Sequence, residues 1–419
     1  MSKQAYVYAD LGGTPTLVGR LFAHERRGRE TASFEYDETW LAHEERYALE
    51  PALQLGPGSF HADTALFGAI GDSAPDRWGR VLMRRAEQRR ARNAGETPRT
   101  LREIDYLLLV NDEARMGALR FAEEPGGPFL ATRGPTPVPS LIELPRLLSA
   151  AEHIIDEDES DEDLRLIFAP GSSLGGARPK ASVREADGSL AIAKFPHKED
   201  EWNAVAWEAV ALSLAAQAGI AVPQWRIEKI AKKDVLILRR FDREGQTRIP
   251  FLSAMSMIGA ADNETHSYLE IADALSQQGS NATPDLNELW RRMVFNILVS
   301  NVDDHLRNHG FLYAGSTGWL LSPAYDLNPT PVDVKPRVLC TAITENDQTA
   351  SLELALSVAE YFELDAEEAE RSAAKVGKAV AQWHKEAARL GISATKHARI
   401  ESAFQHDDLR KALSFGKRL

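Results

Sequence analysis

Asn301-Val302-Asp303-Asp304-His305-Leu306-Arg307-Asn308 follows directly on the apolar stretch Leu289–Val299 and sets an amide five positions after a carboxylate. Phosphoryl transfer uses that spacing: an aspartate takes or orients the proton of the attacking hydroxyl, and an asparagine five residues on offers an oxygen to Mg²⁺. Downstream, Asp326 in Ala324-Tyr325-Asp326-Leu327-Asn328-Pro329 lies where a second metal-binding aspartate is expected. Mg²⁺ prefers hard oxygen donors and must offset charge on the phosphates, which is why this chemistry calls for both groups. Taken alone, an Asp-Asn loop is also an ordinary helix cap.

Two upstream features fit the same chemistry in the order a kinase places them. Lys194 is a lone cation in the apolar strand Ala191-Ile192-Ala193-Lys194-Phe195, and Glu208 follows on an apolar helix. A strand lysine paired with a helix glutamate holds the α- and β-phosphates of ATP in protein kinases. By itself Lys194 is equally a residue reaching solvent from an edge strand. Before it, Ser172-Ser173-Leu174-Gly175-Gly176-Ala177-Arg178-Pro179-Lys180 combines glycines, hydroxyls and cations. Converging backbone N–H groups and nearby cations make a phosphate cradle, although neither G-x-x-x-x-G-K-[ST] nor G-x-G-x-x-G is present and a plain hairpin turn reads the same way. His305 and His309, four apart, could share a helical face as zinc ligands, but no glutamate follows His305 and no third ligand is evident. The arginines from Arg77 to Arg92 form either a local phosphate-binding stripe or a solvated helix face.

These residues need a substantial scaffold, and 419 residues allow two or three domains with a real core. A composition of 43% hydrophobic and 26% charged residues excludes a largely disordered chain. The formal net charge of −13 excludes blanket affinity for nucleic acid or anionic membrane, so any such contact is local. Cys340 is the only cysteine, so no internal disulfide forms, which fits a reducing cytoplasm. The first residues show no secretion signal, and Glu208, Ser213 and Gln217 interrupt the apolar stretch 204–223, so no membrane span is expected.

Alternation around Gly12-Gly13 and again over 32–36 predicts a small antiparallel sheet. Ser73-Ala74-Pro75-Asp76 reads as a capping box opening the arginine-rich helix. The prolines and glycines of 125–139 mark a seam near residue 140. After a helix over 141–155, the acidic run 156–163 is expected to be a solvated loop. Strands over 190–195 and 235–241 flank a helix over 202–218, and helices follow over 289–299, 352–362 and 367–390.

The ordered set resembles the HipA family of bacterial serine/threonine kinases, the toxin components of toxin–antitoxin pairs. The resemblance rests on Ala74-Pro75-Asp76-Arg77-Trp78-Gly79-Arg80, Ser173 through Lys180, Asn301 through Asn308 and Tyr325-Asp326-Leu327, and it spans nearly the whole chain. It implies an α+β, protein-kinase-like two-lobed fold, with an amino-terminal α/β portion containing a small antiparallel sheet and a mostly helical carboxy-terminal lobe. The implied parts are an amino-terminal subdomain over 1–140, an N-lobe-like segment with the Gly-rich loop over 141–241, and a helical C-lobe over 242–419. By resemblance, Asp303 is the catalytic aspartate, Asn308 and Asp326 the Mg²⁺ ligands, and Lys194 with Glu208 the ATP-phosphate pair. Gly175, Gly176 and Lys180 belong to the mobile Gly-rich loop. Ser173, seven before Lys180 and next to Ser172, matches the serine that the family phosphorylates on itself. Phe241 in Leu238-Arg239-Arg240-Phe241-Asp242-Arg243 matches the adenine hinge, with Arg239 where an acidic residue is expected. The resemblance also implies a DNA-binding antitoxin of HipB type and a protein substrate in translation, such as an aminoacyl-tRNA synthetase. Contact with DNA is expected only through that partner or a local basic patch. A small-molecule hydroxyl kinase and a non-catalytic, kinase-shaped regulator are the competing readings.

Overall fold

The alternating residues near the amino terminus build, in the computed structural model, a five-stranded antiparallel sheet of order β4-β3-β2-β1-β5. Its strands are β1 (Lys3–Leu11), β2 (Thr14–Arg26), β3 (Arg29–Tyr36), β4 (Ser59–Ala62) and β5 (Leu119–Ala122). Gly12 and Gly13, both at positive φ, make the two-residue turn that the right-handed strand twist favours. The structure describes residues 3–130, 138–171, 178–262 and 264–417. They form two compact units, Met1–Glu199 with Glu228–Leu252, and Asp200–Ile227 with Ser253–Leu419.

A second sheet of order β6-β7-β9-β8 is made by β6 (Lys180–Arg184), β7 (Leu190–Lys194), β8 (Trp225–Ile230) and β9 (Lys233–Arg239). Val183, Phe195, Val235 and Ile237 from this region share one buried cluster with Leu147 and Ile154 of the Leu144–Asp156 helix and with Trp78 and Leu82 of the Arg77–Ala94 helix. The arginine-rich helix opens later than the capping-box reading placed it. Asp76 is its N-cap, while Ser73 Oγ donates to the Ile70 carbonyl at 2.8 Å and closes the preceding turn.

The acidic run is likewise not a free loop. A helix already begins at Asp161, and the run faces the arginine helix: Arg85 pairs with Glu157 at 2.7 Å and Arg89 with Asp161 at 2.8 Å. Each run repels itself, but side by side they neutralise one another. The expected basic patch therefore loses Arg85 and Arg89 to internal partners, as it loses Arg80 to Glu103 and Arg90 to Glu87 and Glu96.

The second unit is mostly helical. Its Ala204–Ala218 helix is apolar on nearly every side and ends at Gly219, whose φ of +82° closes the helix in the left-handed conformation. Trp207 of that helix lies in a ring cluster with Trp383 and Phe404, the last two stacked at 4.8 Å. The Ala282–Val299 helix runs through the core toward the Asp303 loop. The periodicity over 367–390 yields two helices, Ala366–Val380 and Trp383–Arg389, and that over 352–362 yields Leu352–Ser357 followed by a tighter turn, Ala359–Phe362. Apolar period alone does not reveal breaks of one or two residues. Among the described residues no helix is long and apolar enough to cross a membrane.

Candidate active site

The first unit carries two buried lysines. Lys180 opens β6 and Lys194 closes β7, and the register pairs them directly across the two strands. Both are buried, at 4% and 8% exposure, so neither is a lysine merely reaching water from an edge. Trp78 fixes this end of the sheet, its indole N–H donating to the Lys180 carbonyl at 2.9 Å from within the apolar cluster. That contact gives the Ala-Pro-Asp-Arg-Trp-Gly-Arg segment a physical role: it anchors the strand leaving the Gly-rich segment. Ser172, Ser173, Gly175 and Gly176 themselves lie outside the described residues.

Past β9, the segment expected to receive adenine is bolted to the amino-terminal portion by buried charges. Arg240 pairs with Asp242 at 2.5 Å and donates to the carbonyls of Ala114 and Arg115, and Asp242 also accepts from Arg243 and the Gly117 amide. Burial works to raise the Asp242 carboxyl, but the flanking guanidiniums hold it well below the usual carboxylate range. Burial likewise pushes the Arg243 guanidinium down to about 9, against the Asp242 charge. Phe241 lies between these residues, half-buried, its ring 6.3 Å from that of Phe251. Arg239, where an acidic residue was expected, is exposed and 3.7 Å from Asp187. Sequence reading missed this buried charge cluster, whose signal was an aspartate flanked by arginines.

In the second unit the Ala282–Val299 helix stops at Ser300, which takes a positive φ and whose hydroxyl donates to the Ala403 carbonyl. The chain then enters the 301–308 loop. Asn301 is fully buried; its Nδ2 donates to Asn296 Oδ1 at 3.0 Å, and its Oδ1 accepts the Asn328 amide at 3.2 Å. Asp303 is exposed, and its backbone carbonyl accepts from Asn308 Nδ2 at 3.1 Å, so the residues five apart close on one another. That bond leaves Asn308 Oδ1 as the atom available to a cation. The Tyr325 hydroxyl donates to the Arg307 carbonyl at 2.7 Å. Together with the Asn301–Asn328 bond, this ties the chain to the loop on both sides of Asp326. Asp326 itself holds a φ of +57°, an uncommon backbone for a non-glycine residue and one that aspartate tolerates better than most.

Beneath the loop is a buried support that sequence reading missed. Asp304 accepts from the Tyr268 hydroxyl and lies 3.0 Å from His309 Nε2, while Asn296 Nδ2 reaches the same tyrosine oxygen. Burial works to raise the Asp304 carboxyl, but His309 and the tyrosine hold it below its ordinary value. Burial and the Asp304 charge push the Tyr268 hydroxyl well above the usual range. A carboxylate so held fixes the backbone beside Asp303. His305 and His309 share no helix face, because the loop is extended at His305 and turns tightly over Leu306–Asn308.

Lys194 belongs to the first unit, and Glu208, 4% exposed on the Ala204–Ala218 helix, to the second. The second unit brings Asp303, Asn308 and the Asp326 segment together. Their donors suit Mg²⁺, which is commonly bound through one or two carboxylates plus substrate phosphates rather than by an all-protein cage. No cluster of three or more His, Cys, Asp or Glu side chains able to hold a metal occurs among the described residues.

Family models match in the same order: the HipA N-terminal domain over 13–122 and the HipA-like C-terminal domain over 172–384, about half of the chain by itself. The chain belongs to the HipA family. Three curated relatives carry kinase names. The "Putative kinase" of Haemophilus influenzae is 27% identical over 134 residues, 28% of this chain and 39% of its own length. Two others are from Sinorhizobium fredii. "Putative kinase Y4dM" is 36% identical over 98 residues, 23% of this chain and 24% of that protein, and "Putative kinase Y4mE" is 24% identical over 357 residues, 77% of each. The chain thus spans well under half the length of the first two. Among solved structures, Shewanella oneidensis HipA, in a complex with HipB and its operator DNA, is similar with a TM-score of 0.67 at 15% identity, covering 99% of this chain and 97% of that one. That likeness bears out the HipA-type, kinase-like two-lobed α+β fold.

Proposed function

We propose that this HipA-family chain is an ATP- and Mg²⁺-dependent kinase of protein serine or threonine hydroxyls. The observation that carries the reading is the closed loop in which Asn308 bonds the Asp303 backbone while the chain on both sides of Asp326 is tied to the same loop. Asp303 orients the acceptor hydroxyl and takes its proton, and Asn308 Oδ1 and the Asp326 carboxylate hold the metal. Mg²⁺, when bound, offsets the charge of the phosphates. Lys194 and Lys180 receive the phosphates, Glu208 orients Lys194, Gly175 and Gly176 cover the nucleotide, and Phe241 offers backbone groups to adenine. The functional parts proposed are 1–140, 141–241 and 242–419.

Ser173 in the Gly-rich segment is the proposed site of self-phosphorylation. A phosphate there adds about −1.5 to −2 charges beside a site built for a polyanion, which would eject the loop and switch the kinase off. A HipB-type, DNA-binding antitoxin is the proposed partner and a translation protein, such as an aminoacyl-tRNA synthetase, the proposed substrate; both follow from family membership, and the first also from the Shewanella complex. The cell compartment proposed is the cytoplasm.

Incubation with radiolabelled ATP and Mg²⁺ tests the reading. Label on the protein itself supports it, label only on small molecules supports a small-molecule kinase, and no label at all supports a regulator without catalysis.

A further inference from the structure

Lys335 stands against Asp303, its Nζ 3.0 Å from Asp303 Oδ1, and both side chains are more than half exposed. The segment that carries it, Pro331-Val332-Asp333-Val334-Lys335-Pro336-Arg337, is fastened on either side of the lysine. Before it, Asp333 pairs with Arg399 at 2.9 Å and the Val332 amide donates to Ser402 Oγ at 3.2 Å. After it, Arg337 pairs with Asp408 at 2.6 Å and donates to the Ile297 carbonyl at 2.9 Å. Between these anchors the amides of Val334 and Lys335 both donate to the Pro331 carbonyl and close a turn. An exposed ion pair contributes little to stability, so this scaffold exceeds what stability alone requires. It delivers a cation to a fixed place beside the one exposed carboxylate of the loop that is expected to act on a hydroxyl.

In the transfer, the acceptor oxygen bonds to the γ-phosphorus as the bond from that phosphorus to the β,γ-bridging oxygen breaks. The electron pair leaves on ADP, and the hydroxyl proton passes to the Asp303 carboxylate. Negative charge is spread over the three equatorial oxygens, where a positioned cation lowers the barrier most. The loop supplies no such cation of its own: its one arginine, Arg307, is held by Asp262 at 2.6 and 3.1 Å. Among the described residues, the ion pair Asp303 makes is with Lys335.

We infer that Lys335 is a further catalytic residue, which leaves Asp303 for the transferring phosphoryl group as the acceptor hydroxyl takes its place on the carboxylate. This rests on the phosphotransfer reading of Asp303. The test compares wild type with K335M and K335R in two measurements: calorimetric binding of ADP–Mg²⁺ with and without aluminium fluoride, and single-turnover transfer from ATP. Aluminium fluoride completes a mimic of the planar transferring group, so it reports transition-state binding without turnover. The expected result is that K335M binds ADP within about twofold of wild type, loses most of the tightening that aluminium fluoride gives, and transfers about 10²–10³-fold more slowly, with K335R restoring much of both. K335M that keeps the tightening and the rate overturns the proposal while leaving the kinase reading intact. An equal loss of ADP affinity in both variants also overturns it, by placing Lys335 in nucleotide binding. A wild-type protein that neither binds ADP nor transfers phosphate overturns the kinase reading itself, and the proposal with it.

Discussion

Lys180 and Lys194 occupy directly opposed positions of the β6–β7 pair and are both buried. Two cations on neighbouring strands suit the several charges of a polyphosphate, so both lysines belong with the proposed nucleotide site. Lys194→Met should weaken ATP binding at least tenfold, and the rise in melting temperature that nucleotide gives the wild type should shrink accordingly, since that rise follows the ratio of ligand concentration to Kd. Equal shifts in the two proteins would remove the lysine pair from the nucleotide site.

Trp78 connects the amino-terminal helix to the same strand through its bond to the Lys180 carbonyl. Trp78→Phe keeps most of the apolar contact and leaves that carbonyl without its indole partner, at a cost of about 1–3 kcal/mol. Chemical denaturation should show this loss. Nucleotide affinity should fall as well, because the strand it steadies begins at Lys180; unchanged affinity would confine Trp78 to a packing role.

Asp242 sits 1% exposed between two arginines. Asp242→Asn removes the negative partner and leaves buried guanidiniums without compensation, which should cost about 3–5 kcal/mol in denaturant unfolding. A loss under about 1 kcal/mol would mean that the carbonyls of residues 113–117 already satisfy the cluster.

His406 caps the Asp407–Phe415 helix, its Nδ1 accepting from the Leu409 amide and its Nε2 facing the Leu298 carbonyl. Burial, then the Arg337 charge, pushes its imidazole down to about 4. The unfolded chain takes up the proton near pH 6.5 and the folded chain only near pH 4, so stability is fully present above pH 6.5 and is lost as pH falls through that window. The loss approaches about 3 kcal/mol by pH 4. His406→Gln should flatten this part of the stability–pH curve, and an unaltered slope would assign the acid sensitivity elsewhere.

Much of the candidate site was legible because it is written in short spacings. The five-residue interval from Asp303 to Asn308, the downstream Asp326 and the strand lysine are local patterns tied to ligand chemistry. The amino-terminal sheet was legible for a similar reason, since alternation and a Gly-Gly turn are local signals. What escaped depends on distant partners. Lys335 is separated from Asp303 by 32 residues, and its loop is a run of prolines and valines with no motif. Asp304 draws its meaning from Tyr268, 36 residues earlier. The acidic run was read as a self-repelling solvated loop and the arginine helix as a phosphate stripe or solvated face, and only the fold shows that each is the other's counter-ion. Helix breaks such as Ala381-Gln382 were missed because the apolar period continues across them.

The central claim is that Asp303 acts on the acceptor hydroxyl while Asp326 holds the metal, and the most direct measurement is intact-protein and peptide mass spectrometry after incubation with ATP and Mg²⁺, paired with nucleotide-binding calorimetry. The wild type should gain phosphate, with Ser173 the expected position. Asp303→Asn should bind ATP–Mg²⁺ normally and gain none, and Asp326→Asn should lose Mg²⁺-dependent nucleotide binding itself. Phosphate on Ser173 in the Asp303→Asn protein, or full phosphotransfer by both variants, would contradict the account.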